Sequence, residues 1–234
     1  MTEITRQVVR KGKLSDQGKE GDEHLHVVPD IFVELAANGF RSSESYEQRR
    51  LVGSLKETTA EDIQFDDGRF LSVDLSKTRW HNLHLGRTAL EKCDLANARW
   101  TNPHFDQVQL QKCRGTGLQF LDLRSKNSRF LDSKLNLAAF HGSKFRGDRF
   151  ENCDLRETNF EAVDLVDVVF RNCDLRSARF PNCSLRNVDL RGSHLAGMHI
   201  PPDQLRGACI DAAQLPDVAA IMGLVVRPFS EREE

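Results

Sequence analysis

A large apolar residue returns at every fifth position from Phe65 to Leu215, and of the 31 positions in that register only Gly115 and Ser125 break it. An α-helix turns about 100° per residue, so a five-residue step would scatter these side chains around its axis. A strand alternates with period two, so an odd step would send every second large residue to the opposite face. The pattern buries its large residues together only if each five-residue unit turns a corner. Two residues before the large one, small or modest side chains dominate, as at Thr78, Thr88, Cys93, Ala98, Ser128, Ser133, Ala138, Ser143, Cys153 and Thr158. Large and small positions therefore share an interior, and the other three positions of each unit, which hold most of the charge, face outward.

A second period sets the circuit. Cys93, Cys113, Cys153 and Cys173 differ by multiples of twenty, and Ser133 and Ser193 fall in the same column. Four units complete one turn of a solenoid. Circuits stacked like neighbouring strands, roughly 4.8 Å apart, give seven to eight coils over residues 61–215 and a rod of about 35 Å.

The units CDLAN, CDLRE, TNFEA, CDLRS and VDLRG resemble those of the pentapeptide-repeat family. That resemblance spans about two-thirds of the chain and implies an all-β solenoid, a right-handed quadrilateral β-helix with short helical caps at both termini. The segment DQLRGACIDAAQLPDVAAIMGLVV is similar to the ending of bacterial members that act on DNA gyrase. In those relatives the C-terminal helix joins two subunits end to end, which implies a homodimer through Ile221, Met222, Leu224 and Val225.

Solenoid ends need caps, because an open circuit exposes apolar side chains and unpaired backbone groups. Residues 1–23 are polar and charge-rich and are expected to be a disordered tail. Residues 24–60 are expected to form an N-terminal helical cap: Pro29 and Asp30 precede IFVELAA, Asn38 and Gly39 follow it, and SSESYEQRRLVGSLKE is a second, weaker helical candidate. Residues 61–215 are the β-helix. Residues 216–234 are read as a C-terminal helix or cap and tail, with Pro216 near the helix start and Gly223 as its stop.

Little in the pattern points to catalysis. The Asp of each CDL unit (Asp94, Asp154, Asp174) is expected to bond its local backbone, as Asx residues do. The cysteine column reads as buried rungs, with none of the six cysteines in a CxxC spacing and all expected reduced. His84 and His104 should stack on adjacent circuits with His81 near in sequence, a metal site only if a third ligand joins them. Asp148 stands in a column of small residues, as a buried carboxylate with a raised pKa or one bonded to turn amides. Gly115 and Ser125 vacate large positions while Leu118 and Leu123 enlarge the paired ones, so the core stays filled; a dent at a binding surface is the other reading. No phosphate loop, GxSxG or HExxH occurs, so no catalytic residue, cofactor or metal is assigned and an enzyme is not expected.

Charge carries the functional reading. The chain has 33 basic and 35 acidic side chains, and residues 61–215 hold 21 acidic and 22 basic, with no consistently acidic face. A 35 Å length of duplex carries about twenty negative charges at one per 1.7 Å. The charge here is banded along the axis instead. Residues 111–147 are net +6, with Arg114, Arg124, Lys126, Arg129, Lys134, Lys144 and Arg146; residues 148–167 are net −5, with Glu151, Asp154, Glu157, Glu161, Asp164 and Asp167. The expectation is a cytoplasmic, non-enzymatic protein-binding rod, whose partner through the family resemblance is DNA gyrase or topoisomerase IV, shielded by DNA mimicry from the drugs that poison them. The alternatives are a general interaction scaffold, a nucleic-acid-binding rod through residues 111–147, and an enzyme or metal protein at His81, His84 and His104. Nucleic-acid binding is disfavoured because Phe120, Phe130, Phe140 and Phe145 are predicted to point inward. The N-terminus reads as no signal peptide, and no apolar run is long enough to span a bilayer.

Overall fold

The computed structural model of the protein describes residues 33–227. Each circuit lays down short parallel strands on those of the previous one. Phe70 pairs with Leu90, Leu90 with Leu110, Leu110 with Phe130, Phe130 with Phe150 and Phe150 with Phe170, each twenty residues on. These strands belong to an eight-stranded sheet, and an eleven-stranded sheet covers the adjoining walls. The corner predicted for each unit is a single residue in the left-handed region, two after the large one: Lys77, Asn97, Asp122 and Asn172 have φ of 57°, 54°, 57° and 51°. That conformation costs a non-glycine residue about 1 kcal/mol or more. It is offset by a hydrogen bond to the next circuit, as from Lys77 N to Ala96 O and from Asn97 N to Thr116 O.

The interior is a set of columns. Trp80 stacks on Trp100, Phe130 on Phe150 and Phe150 on Phe170, and Phe140, Phe160 and Phe180 form a further stack with centroids 5.0 and 4.6 Å apart. Such pairs add about 0.5–1.5 kcal/mol each beyond area burial. The small column has a role beyond size. A buried inward-facing amide needs an acceptor, and at four places the serine twenty residues later supplies it: Ser128 Oγ accepts from Val108 N, Ser133 Oγ from Cys113 N, Ser143 Oγ from Leu123 N and Ser193 Oγ from Cys173 N, all at 3.1–3.2 Å. At Gly115 a Cβ would stand 2.8 Å from Leu135 Cδ2 and 3.2 Å from Leu118 Cδ2. Leu118 and Leu123 are fully buried there, so the exchange of large for small keeps the core filled.

The N-terminal helix is not what forms in the described part of residues 24–60. Val33–Ala36, Ser45–Glu47 and Arg49–Val52 are strands, with Leu35 opposite Leu51 and Tyr46 opposite Phe65. The solenoid starts earlier than Phe65 because its inward residues Leu35, Phe40, Tyr46, Leu51, Leu55 and Ala60 are spaced by five, six, five, four and five. The four-residue step passes through Gly53 at φ +100°. Those two irregular steps hide the period, and apolar spacing in IFVELAA fits a strand as well as a helix. Phe40 then closes the end, its ring 5.1 Å from Trp80 and 5.9 Å from Tyr46. The expected tail over residues 1–23 and the helix start at Pro29 and Asp30 lie outside the described residues.

At the other end Leu205 and Ile210 are only partly buried and Leu215 is 56% exposed, so the inward register stops short of Leu215. The chain leaves the wall at Asp211, whose side chain accepts from Ala213 N while Gln214 reaches back to Asp211 N in a capping box. A helix, α1, runs over Leu215–Ile221 with Pro216 in its first turn. Gln214 is buried and donates to Leu190 O and Ser193 O, both at 2.7 Å, satisfying carbonyls that have no further circuit to pair with.

Candidate interaction surface

The inward polar groups are occupied by architecture. Cys93, Cys113, Cys153 and Cys173 are buried, and their thiols lie within reach of carbonyls such as Phe70 O, Leu90 O, Phe130 O and Phe150 O. The stacked neighbour thiol and burial push the Cys113 and Cys173 thiols well up, away from a reactive thiolate. The carboxylates of the CDL units bond the backbone two residues on: Asp94 to Ala96 N, Asp154 to Arg156 N and Asp174 to Arg176 N. Asp148 is fully buried. It accepts from Ser125 Oγ at 2.6 Å, Ser128 N at 2.8 Å and Arg146 N at 2.7 Å. Burial outweighs these three bonds and pushes its carboxyl up to about 6. Both halves of the expectation for Asp148 hold, and Ser125 is polar because it faces this group.

His84 and His104 do pair across adjacent circuits, with ring centroids 6.4 Å apart. His81 lies on the neighbouring wall, opposite Glu61 and Thr101. Among the described residues no group of three His, Cys, Asp or Glu is placed to hold a metal.

The charged bands resolve differently on the walls. The acidic band wraps the rod, and much of it is paired locally. Asp154 binds Arg156, Asp174 binds Arg176, and Asp164 is shared by Arg146 and Arg186. The hydrogen-bonded arginines hold the Asp154 and Asp174 carboxyls below the usual range. Glu161 faces His141 at 3.4 Å, while Glu151 and Asp164 lie on different walls and Glu157 and Asp167 at different corners. The basic band divides into three. Arg114 and Lys134 are bridged on one wall, where Arg114 pairs with Asp94. Arg129 lies opposite Arg149 on a second. On a third, Arg124 sits opposite Lys144 and Lys126 opposite Arg146, four cations on two successive strands. A spacing of twenty between 124 and 144, and between 126 and 146, is the sequence signal for this square. Summing charge along the axis averaged it away.

Residues at the C-terminal end are apolar and exposed. Met222, Leu224, Val225 and Val226 lie open together with Leu215, whereas Ile221 is half-buried against the core. Beside them a groove of about 630 Å³ runs between α1 and the last coils, lined by Arg179, Met198, Ile200, Pro201, Asp217 and Ile221 among others. One large apolar side chain elsewhere among the described residues is comparably exposed: Leu137, 53% exposed at a left-handed corner with φ 60°, which sequence reading had not singled out.

The model of the pentapeptide repeat region matches residues 143–218. No curated protein matches the chain. Two solved structures of QnrB1, a plasmid-mediated fluoroquinolone resistance protein, align at 15% and 16% identity, covering 78% and 84% of this chain and 99% and 98% of theirs, with TM-scores of 0.29 and 0.34. A pentapeptide repeat protein, Rfr23, from the cyanobacterium Cyanothece 51142 aligns at 13% identity over 62% of this chain and 88% of that one, with a TM-score of 0.27.

Proposed function

The chain is a pentapeptide-repeat protein, and from that premise we propose that it works in the cytoplasm as a non-enzymatic rod that binds a protein partner through the charged side chains displayed on its walls. The observation that carries this reading is the division of labour across the wall: inward positions are filled and hydrogen-bonded, and diversity is confined to outward positions. A flat, rigid, mixed-charge surface favours specific, steered association with another macromolecule. The test is cross-linking of the full chain in native cytosol, comparing the wild-type protein with a variant in which the outward charges of residues 111–167 are neutralised. A partner captured by the first and lost by the second supports the reading, and identical capture by both would remove it.

A finer version makes that partner DNA gyrase or topoisomerase IV, with protection against topoisomerase poisons. Its support is the similarity of residues 203–226 to the ends of gyrase-directed members, together with the exposure of Met222, Leu224 and Val225, which suits an end-to-end homodimer. Purified protein at micromolar concentration should then alter gyrase supercoiling or drug-induced cleavage, and should sediment as a dimer that Leu224→Glu dissociates. A monomer without effect on either topoisomerase would sink this version and leave the rod.

A further inference from the structure

We propose that the wall bearing Arg124, Lys126, Lys144 and Arg146 is the docking site for a short acidic segment of the protein partner, presented as extended chain. The proposal rests on the protein-binding reading above and names the chemistry the partner must offer. In-register pairing sets Arg124 against Lys144 and Lys126 against Arg146. With strands about 4.8 Å apart and alternate residues about 6.6 Å apart along each, four cations are anchored on a grid of one strand spacing by one dipeptide. Like charges directly opposite across strands are destabilising, yet this wall sets two such pairs side by side, whereas Arg79 opposite Arg99 and Arg129 opposite Arg149 are single pairs on other walls. Several ladders elsewhere match opposite charges twenty or so residues apart, as in Lys77 with Glu57, Arg87 with Asp67, Arg69 with Glu91 and Arg114 with Asp94. Arg124, Lys126 and Lys144 make no ion pair among the described residues, and all three are exposed. Arg146 is half-buried, with Nη2 held by Asp164 and Nη1 buried, so the three exposed cations carry most of the free charge.

The surroundings select the ligand. Along the rod axis the square is bounded by Asp106 beside Lys126 on one strand and by Asp164 beside Lys144 on another. A duplex laid along the axis would set its phosphates against Asp164, Asp167 and the rest of the acidic band. A single strand would want aromatic faces to stack on, and Phe120, Phe130, Phe140 and Phe145 are buried. An extended peptide presents the side chains of one face every second residue, about 6.6 Å apart. That matches the separation of Arg124 from Lys126 and of Lys144 from Arg146, so two to four carboxylates suffice to cover the square with charge-assisted bonds.

The experiment is a fluorescence-anisotropy titration of the full chain with a labelled octaglutamate peptide and, separately, a short DNA duplex, at low and raised salt. The wild-type protein should bind octaglutamate in a salt-sensitive way. K126Q/K144Q should weaken that binding by about tenfold or more, and R114Q/K134Q, which neutralises two cations on another wall, should leave it within about twofold. Unchanged thermal midpoints for both variants show that the fold is kept. Absence of octaglutamate binding, or equal weakening by both double variants, overturns the proposal. Tighter binding of the duplex, lost in K126Q/K144Q, overturns it in favour of nucleic acid. If K126Q/K144Q still captures the cytosolic partner at wild-type level, the docking face fails while the rod reading stands.

Discussion

Asp148 should make this protein gain stability, locally, where most proteins lose it. Its carboxyl is fully buried and its pKa is raised from 3.8 to about 6, because the cost of burying charge exceeds what Ser125 Oγ, Ser128 N and Arg146 N return. A pKa raised on folding means the folded state holds the proton more tightly. The stabilisation is therefore fully present below the unfolded value near 3.8 and is lost as pH rises through about 6. At about 1.4 kcal/mol per pKa unit, the contribution between pH 7 and pH 4 is on the order of 2–3 kcal/mol. The paired carboxylates Asp154, Asp174, Asp189 and Glu91 have lowered values and act in the opposite direction over the same range. The measurement must isolate one residue. Asp148→Ser places in the column the same side chain that Ser128 uses to accept an amide twenty residues earlier. Urea unfolding of wild type and variant at pH 7, 6, 5 and 4 gives a stability difference in which the other groups cancel. The wild-type protein should gain on the variant by about 2–3 kcal/mol as pH falls from 7 to 4. A difference that stays flat over that range, or one that shifts toward the variant, would refute the claim that burial dominates at Asp148.

Three further outcomes test the architecture. Gly115→Leu restores the five-residue rule but drives a side chain into Leu135 and Leu118, so it should cost about 1–3 kcal/mol in urea unfolding, and adding Leu118→Ala should recover much of the loss. Phe40→Ala removes the ring that closes the first circuits over Trp80 and Tyr46; it should cost about 3 kcal/mol and speed amide exchange near residues 46–65 before the middle of the rod. Gln214→Ala leaves Ser193 O without its donor and removes one of the two donors to Leu190 O, which keeps Ser193 N; it should cost about 1–3 kcal/mol and raise exchange in the last coils.

The amino-acid sequence alone determined the solenoid, its twenty-residue circuit, the inward place of Trp100, Phe150 and Cys173, the exchange of large for small at Gly115 and Leu118, and a helix after Pro216. These are local or strictly periodic properties: one residue in five must be large because each five-residue unit turns one corner. Where the period slips, local pattern misleads. The six- and four-residue steps around Tyr46 and Leu51 made strands look like a helical cap, and only the pairing of Leu35 with Leu51 across the first circuit resolves them. Small serines could be read as space-fillers, but their work as acceptors for amides a full circuit earlier depends on coil stacking. The candidate site was half legible. Its cations could be counted along the chain, yet their division among three walls, with Arg124, Lys126, Lys144 and Arg146 gathered on one, was decided by the tertiary structure, because stacking makes neighbours of residues twenty apart and separates residues five apart by a corner.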